Sequence, residues 1–327
     1  MKVRSLLALL AVTFLWACNG DDPVQHKPVA PKKPKVETPA FSADSAYRFI
    51  EEQVAFGPRV PNTEAHAQTA DYLAEKLRGY GAEVIVQEGT VYAWDDTPLG
   101  MKNIIGQFQP EKKKRLLLYA HWDTRPYADK DSTRTEEPID GANDGGSGVG
   151  VLLEVARQLG AKAPEVGVDI IFFDTEDYGA PEWVEDSDFR DWCLGSQYWA
   201  ENKHKTGYRA KYGILLDMVG GKNAVFNREG TSMALAPSVV DKVWRTARNL
   251  GYSDLFRDEV TPQTIDDNYF VTDIAGIPSA NIVEYHIDVI PMGYGKFHHT
   301  HLDDMSIISK ETLQAVGDVV MEVVYQE

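Results

Sequence analysis

The sequence predicts a single three-layer α/β domain with a mainly parallel central sheet flanked by helices. Two observations predict it. Continuous apolar runs such as "RLLLYA", "DIIFFD" and "YGILLD" alternate with longer helical stretches, which is the pattern of strands covered on both faces by crossover helices. Acids and histidines then gather just after those runs, where an open α/β sheet places its ligands.

Helical spacing first occurs in "FSADSAYRFIEEQVAFG", behind a Ser capping signal, and again in "NTEAHAQTADYLAEKLRGYG", which ends on a glycine. Strand-like runs follow in "AEVIVQEGTVYAW", "KNIIGQFQ" and "RLLLYAHWD". After them "GSGVGVLLEVARQLG" reads as a helix, "VGVDIIFFD" as a strand and "CLGSQYWAENK" as a helix. "YGILLDMVG" is a further strand, "APSVVDKVWRTARNLG" a helix and "IPSANIVEY" the last strand, before "SKETLQAVGDVVMEVVYQ" closes the chain as a helix. No internal repeat interrupts this order, and one domain is expected over residues 41–327.

The 327 residues are 43% hydrophobic, enough for a sizeable core. A net charge of −17 argues against nucleic acid as a partner, because no basic surplus exists to displace its counterions. The N-terminus "MKVRSLLALLAVTFLWAC" has basic residues and then an apolar run too short for a membrane span, which fits an export signal over residues 1–17. "LWAC" resembles a bacterial lipobox, with Cys18 as the lipidated residue and Trp16 a bulky departure; the alternative is a plain cleaved signal. Residues 18–40, rich in Pro and Lys, read as a flexible tether. The expected location is therefore outside the cytoplasm, facing the periplasm, with membrane contact only through a lipid anchor. Cys193 stands alone in the mature domain, so no disulfide forms within it.

The strand ends supply the chemistry. "LLLYA" leads to His121 and Asp123, "IIFFD" to Glu176 and Asp177, "ILL" to Asp217; Asp144 precedes a glycine-rich helix start, and "KFHHTHLDD" offers His298, His299 and His301. His and carboxylates without cysteine suit a divalent metal that prefers N and O ligands, zinc above all. Singly, Asp144 could cap its helix, His121 and His299 could be ordinary hydrogen-bonded histidines, and Asp217 a paired strand-end acid. Their convergence on one sheet edge is what argues for a metal.

"HWD", "GANDGGSGVGVLLEVAR", "FFDTED", "LLDMVG" and "HTHLDD" occur in the order that resembles the zinc aminopeptidase family M28, and within it the bacterial glutaminyl cyclases. The resemblance runs from about Phe41 to the C-terminus and implies a zinc-aminopeptidase-like fold. It implies one Zn2+ per chain on Asp144, Asp177 and His299, with Glu176 as general acid/base. It also implies that Asp217 and Asp266 form a hydrogen-bonded acid pair sharing a proton, with Asp267 behind them. His121 and Asp123 occupy the remains of the peptidases' second metal position.

The insertion "YGAPEWVEDSDFRDWCL" before Gly195 and Ser196 is similar to one in the cyclases, and makes Trp183 the expected pocket wall. Tyr294 and Phe297 join it, and His298 stands where animal cyclases carry a Trp. "TIDDNYF" resembles the cyclase "DDHxPF" element, with Asn268 in place of His. Asp177 replaces the usual Glu. The implied reaction closes an N-terminal glutamine of peptides and exported proteins to pyroglutamate; the alternatives are a metal-dependent aminopeptidase or a non-catalytic binding module.

Overall fold

Ser42 opens the first helix, its side chain accepting from the Ser45 N–H, and Thr63 opens the second by accepting from the His66 N–H. In this computed structural model, residues 36–185, 187–289 and 293–327 are described. The expected leader, Cys18 and most of the expected tether lie outside the described residues. Residues 36–40 are tied to the domain: Gln326 Nε2 donates to Val36 O, Lys162 Nζ to Glu37 O and Gln158 Nε2 to Ala40 O.

The elements run α1 (Ala43–Val54), α2 (Glu64–Gly79), β1 (Glu83–Tyr92), β2 (Pro98–Phe108), β3 (Arg115–His121), α3 (Gly146–Ala161), β4 (Gly167–Phe173) and α4 (Leu194–Glu201). Then come β5 (Gly213–Asp217), β6 (Phe226–Arg228), α5 (Gly230–Leu235), α6 (Pro237–Leu250), β7 (Phe256–Val260), α7 (Asp267–Asp273), β8 (Ser279–Val283) and α8 (Lys310–Tyr325). The central sheet has the order β1-β2-β4-β3-β5-β8. β4–β3, β3–β5 and β5–β8 pair in parallel, while β1–β2 and β2–β4 are antiparallel. β3, β4, β5 and β8 are buried along their whole lengths, as continuous apolar runs require.

Alternate strand residues feed two cores. Leu116, Leu118, Ile170, Phe172, Ile214 and Leu216 pack against α1, α3 and α8, and Leu117, Tyr119, Ile171, Phe173 and Leu215 against Trp199 of α4 and Val271 of α7. That makes three layers. Each fully buried Leu, Ile or Phe contributes about 1.5–3 kcal/mol by leaving water. α3 lies directly on β5, since a Cβ at Gly148 would stand 2.1 Å from Leu216 O. The parallel pair β6–β7, with α5 and α7, was not expected from sequence: these elements have three to seven residues, too few to show a period. Among the described residues no helix is long and apolar enough to cross a membrane.

Candidate functional site

The neighbouring strands β4, β3 and β5 end side by side, and their C-terminal turns carry the acids. Buried side chains hold each turn in place. Asp123 accepts from the N–H groups of Glu176 and Asp177, each at 3.1 Å, so it fixes the loop after β4. Asp303 does the same for the loop before α3, accepting from Asn143 N at 2.7 Å and Asp144 N at 3.0 Å. Arg59, fully buried, donates to the carbonyls of Trp122 (3.1 Å), Asp140 (2.5 Å) and Gly141 (2.7 Å). Asp174 faces away from the cluster and accepts from His66 Nε2 at 2.9 Å and Lys102 N at 2.6 Å.

Asp144 does not cap α3. That position belongs to Gly145, at φ +76°, where a Cβ would stand 2.9 Å from His121 Cε1. The carboxylate of Asp144 is thereby free to face the cluster. Thr175, Cys193, Met218 and His299 all have φ between +47° and +58°. Left-handed backbone at residues bearing a Cβ is costly and concentrates where function fixes geometry.

His299 Nε2 lies 3.2 Å from Asp177 Oδ1 and 3.8 Å from Asp144 Oδ2. Its other nitrogen, Nδ1, faces Asp129 Oδ1 at 3.4 Å, and Asp129 is gripped by Arg125 through Nε at 2.8 Å and Nη2 at 2.5 Å. Such a carboxylate behind a histidine fixes its orientation and raises its basicity as a ligand. Asp144 Oδ2 and Asp177 Oδ2 are buried without a hydrogen-bond partner. Two orphaned carboxylate oxygens and an imidazole nitrogen, all hard or borderline donors, fit a divalent cation such as zinc. His121 Nε2 sits 3.1 Å from Asp144 Oδ1 and 3.3 Å from Asp217 Oδ1, with Nδ1 3.5 Å from Asp123 Oδ1.

Burial pushes the Glu176 carboxyl well above its usual range, and the charges of Asp177, Asp266 and Asp267 add to this against the pull of His121. Burial likewise raises Asp177, Asp217 and Asp266. Against burial, the carboxylates of Asp123, Asp144 and Asp217 raise His121 well above an ordinary histidine. His298 moves the other way, lowered by burial and by the charges of His299 and Lys130.

These groups line a cleft of about 730 Å³, of the size that small ligands occupy. Asp144, Glu176, Asp177, Asp217, Asp266, Tyr294, His298 and His299 all face it. Asp217 and Asp266 are not joined to each other by a hydrogen bond. Asp217 turns to His121, whereas Asp266 accepts from Asn281 Nδ2 at 2.7 Å and from the Asp267 N–H at 2.6 Å. Asp267 opens α7 and is enclosed behind the cleft wall.

Two expected wall residues stand elsewhere. Trp183 is 50% exposed and rests its ring on Tyr127, centroids 5.6 Å apart. Phe297 packs into a small cluster with Met218 and Val283. Trp192, from the same insertion, takes the wall position instead. Its ring lies nearly parallel to that of His299 (5.8 Å, 7°), with the Arg125 guanidinium 4.5 Å from the Trp192 ring centre. Trp192, Arg125 and Asp129 were not expected from sequence; the tryptophan-bearing insertion signals Trp192 alone, whereas Arg125 and Asp129 lie in the loop after β3 and reach Trp192 and His299 only in the fold. His298 stacks on His299 at 3.8 Å and meets Lys130 Nζ at 2.6 Å through Nδ1.

Known proteins match this arrangement over most of the chain. A crystal structure of a glutaminyl cyclase from Tannerella forsythia is 52% identical, covers 88% of this chain and 100% of its own, and has a TM-score of 0.86. A zinc-dependent exopeptidase from Parabacteroides distasonis is 51% identical, with 89% of this chain and all of that one covered at a TM-score of 0.87. Aminopeptidase YwaD of Bacillus subtilis is 26% identical over 279 residues, 82% of this chain and 54% of that protein. The chain thus spans about half the length of the first curated relatives it matches, 54% and 50%. The model of peptidase family M28 matches residues 103–324, which contain every acid and histidine of the cleft. With the motifs, the six-stranded frame and the converging donors in agreement, the chain belongs to peptidase family M28.

Proposed function

We propose that this enzyme is a glutaminyl-peptide cyclotransferase acting on peptides and exported proteins that begin with glutamine. The observation that carries the reading is the cleft wall to which Ala180, Pro181, Val184, Phe189 and Trp192 contribute. Trp192 lies parallel to His299 beside the acids, and such an aromatic wall suits a side chain that must fold back on its own amine. Solved relatives at about half identity bear both names, cyclase and exopeptidase, so the wall is what favours cyclisation.

In this reading the substrate's α-amine attacks the carbonyl carbon of its own γ-amide. A five-membered lactam closes and ammonia leaves. Asp144, Asp177 and His299 would hold a zinc ion, whose chemistry there is Lewis-acid polarisation of a carbonyl oxygen. Glu176 accepts the proton that the attacking amine loses and returns it to the departing nitrogen. Its raised proton affinity suits both halves of that exchange. Asp217 and Asp266, lining the cleft with Glu176, would orient the amine by accepting its hydrogen bonds. The aromatic wall holds the side chain in its folded-back form; since amine and amide belong to one residue, this freezes the rotors of the glutamine side chain, an ordering worth about 1.5–2 kcal/mol. The export signal, the anchor at Cys18 and the periplasmic setting belong to the same proposal, since exported chains would be matured where the anchor holds the enzyme.

The experiment is a product assay on a Gln-initiated peptide amide. Pyroglutamate and ammonia are expected, and both should vanish with a chelator and in Glu176→Gln with metal still bound. Release of free glutamine would establish the aminopeptidase reading instead.

A further inference from the structure

We infer that Cys193 is a positioning residue for this reaction: its thiol donates a hydrogen bond to Glu176 Oε1 and leaves the other carboxylate oxygen to exchange protons with the substrate. The inference rests on the reading of Glu176 as the proton carrier. Sγ lies 3.1 Å from Glu176 Oε1, and Cys193 has no exposed surface.

The contact is fixed by backbone as well as by side chain. The Cys193 N–H donates to Glu176 O at 2.9 Å and the Leu194 N–H to Thr175 O at 3.0 Å, so the two segments are laced together. Cys193 holds φ +57°, ψ +33°, a left-handed conformation disfavoured for any residue with a Cβ. Directly after it, a Cβ at Gly195 would stand 2.0 Å from Asp174 O, so the start of α4 is pressed against the turn that carries Glu176. Ser196 Oγ closes the turn by donating to Cys193 O at 3.1 Å. A strained residue locked by its main chain to the carbonyl of Glu176 and by its thiol to the carboxylate of the same residue is more than a filler of space.

Chemistry favours a thiol here. Burial among Glu176, Asp266 and Asp267 keeps the sulfur protonated, so it is a donor. S–H is a weak donor. It can orient a carboxylate without the strong stabilisation of the anion that an amide or ammonium would bring, and the base keeps its appetite for the amine proton.

The test compares Cys193→Ala, Cys193→Gly and Cys193→Ser with wild type on the Gln-initiated peptide, alongside zinc content and thermal melting; Gly suits the left-handed backbone at this position. The expected result is a fall in kcat of about tenfold or more in Ala and Gly, with KM little changed, and recovery of most of the loss in Ser. A residue that merely fills apolar space gives the reverse order, with Ala and Gly near wild type in kcat and Ser the worst. That order, or wild-type kcat in any variant lacking a donor, overturns the inference; should Ala fail to fold, Gly, free of backbone strain, makes the same comparison. If wild type releases free glutamine, the cyclase reading fails on its own, and the same variants compared on that product still decide the role of Cys193.

Discussion

Asp267 has no exposed surface, and neither of its carboxylate oxygens has a hydrogen bond of good geometry. Burial, helped by the nearby charges of Asp123 and Asp217, raises it from the usual 3.8 to about 7. A carboxyl whose affinity for protons is higher folded than unfolded stabilises the fold at low pH, and that contribution is lost as pH climbs from 3.8 through about 7. Asp267→Asn should therefore melt close to wild type near pH 4 and progressively above it as the pH rises to about 8, as measured by calorimetry. An unchanging difference would show that Asp267 keeps its charge. Single residues were legible where type and place coincide: Asp144, Glu176, Asp177, Asp217 and His299 are acids and a histidine at strand ends or loop turns, and all five face one cleft. Trp192 was not legible, because it shares an irregular insertion with Trp183 and no periodicity says which ring turns inward. Asp129, Asp303 and Arg125 act through contacts far along the chain, which a linear reading does not contain.

At the scale of elements, the charge inside β4 has the largest energetic stake. Asp169 points into the sheet, fully buried, and accepts from Arg115 Nε (2.7 Å) and Nη2 (2.5 Å), Gln107 Nε2 (3.1 Å) and Tyr208 Oη (2.7 Å). These bonds lace β2, β3 and β4 together below the site. Arg115→Met would leave the carboxylate enclosed and unpaired, at a cost of about 3–5 kcal/mol in denaturant unfolding. The double change Arg115→Met with Asp169→Leu should recover much of that loss, and its failure to do so would mean the network does more than neutralise itself. The apolar runs of β3, β4, β5 and β8 were readable because burial on both faces leaves a continuous signature. β6, β7, α5 and α7 were unreadable because their conformation is set by neighbours.

Over the whole molecule, parallel strands set side by side turn scattered sequence positions into one acidic pocket. Asp144, Glu176, Asp177, Asp217 and Asp266 face it together, and burial, reinforced by repulsion among the acids, raises the proton affinity of Glu176, Asp177, Asp217 and Asp266. Protons then relieve the repulsion at low pH, and ionisation restores it as pH rises. Stripping the metal should lower the melting temperature more at about pH 8 than at about pH 5, with re-addition of zinc restoring it. A loss independent of pH would show that the ion does not neutralise these acids. The overall architecture was legible because alternation of strand and helix is a property of the entire chain, as was the site's location at the carboxyl edge.

The turn after β4 and the start of α4, between which the insertion lies, are pinned together by the hydrogen bonds from Cys193 to Glu176 O and from Leu194 to Thr175 O. The insertion's length can therefore vary while the ladder beneath keeps its register. Selection can remodel this side of the pocket at little risk to folding, so kindred chains that share half their residues are free to diverge in what the cleft admits.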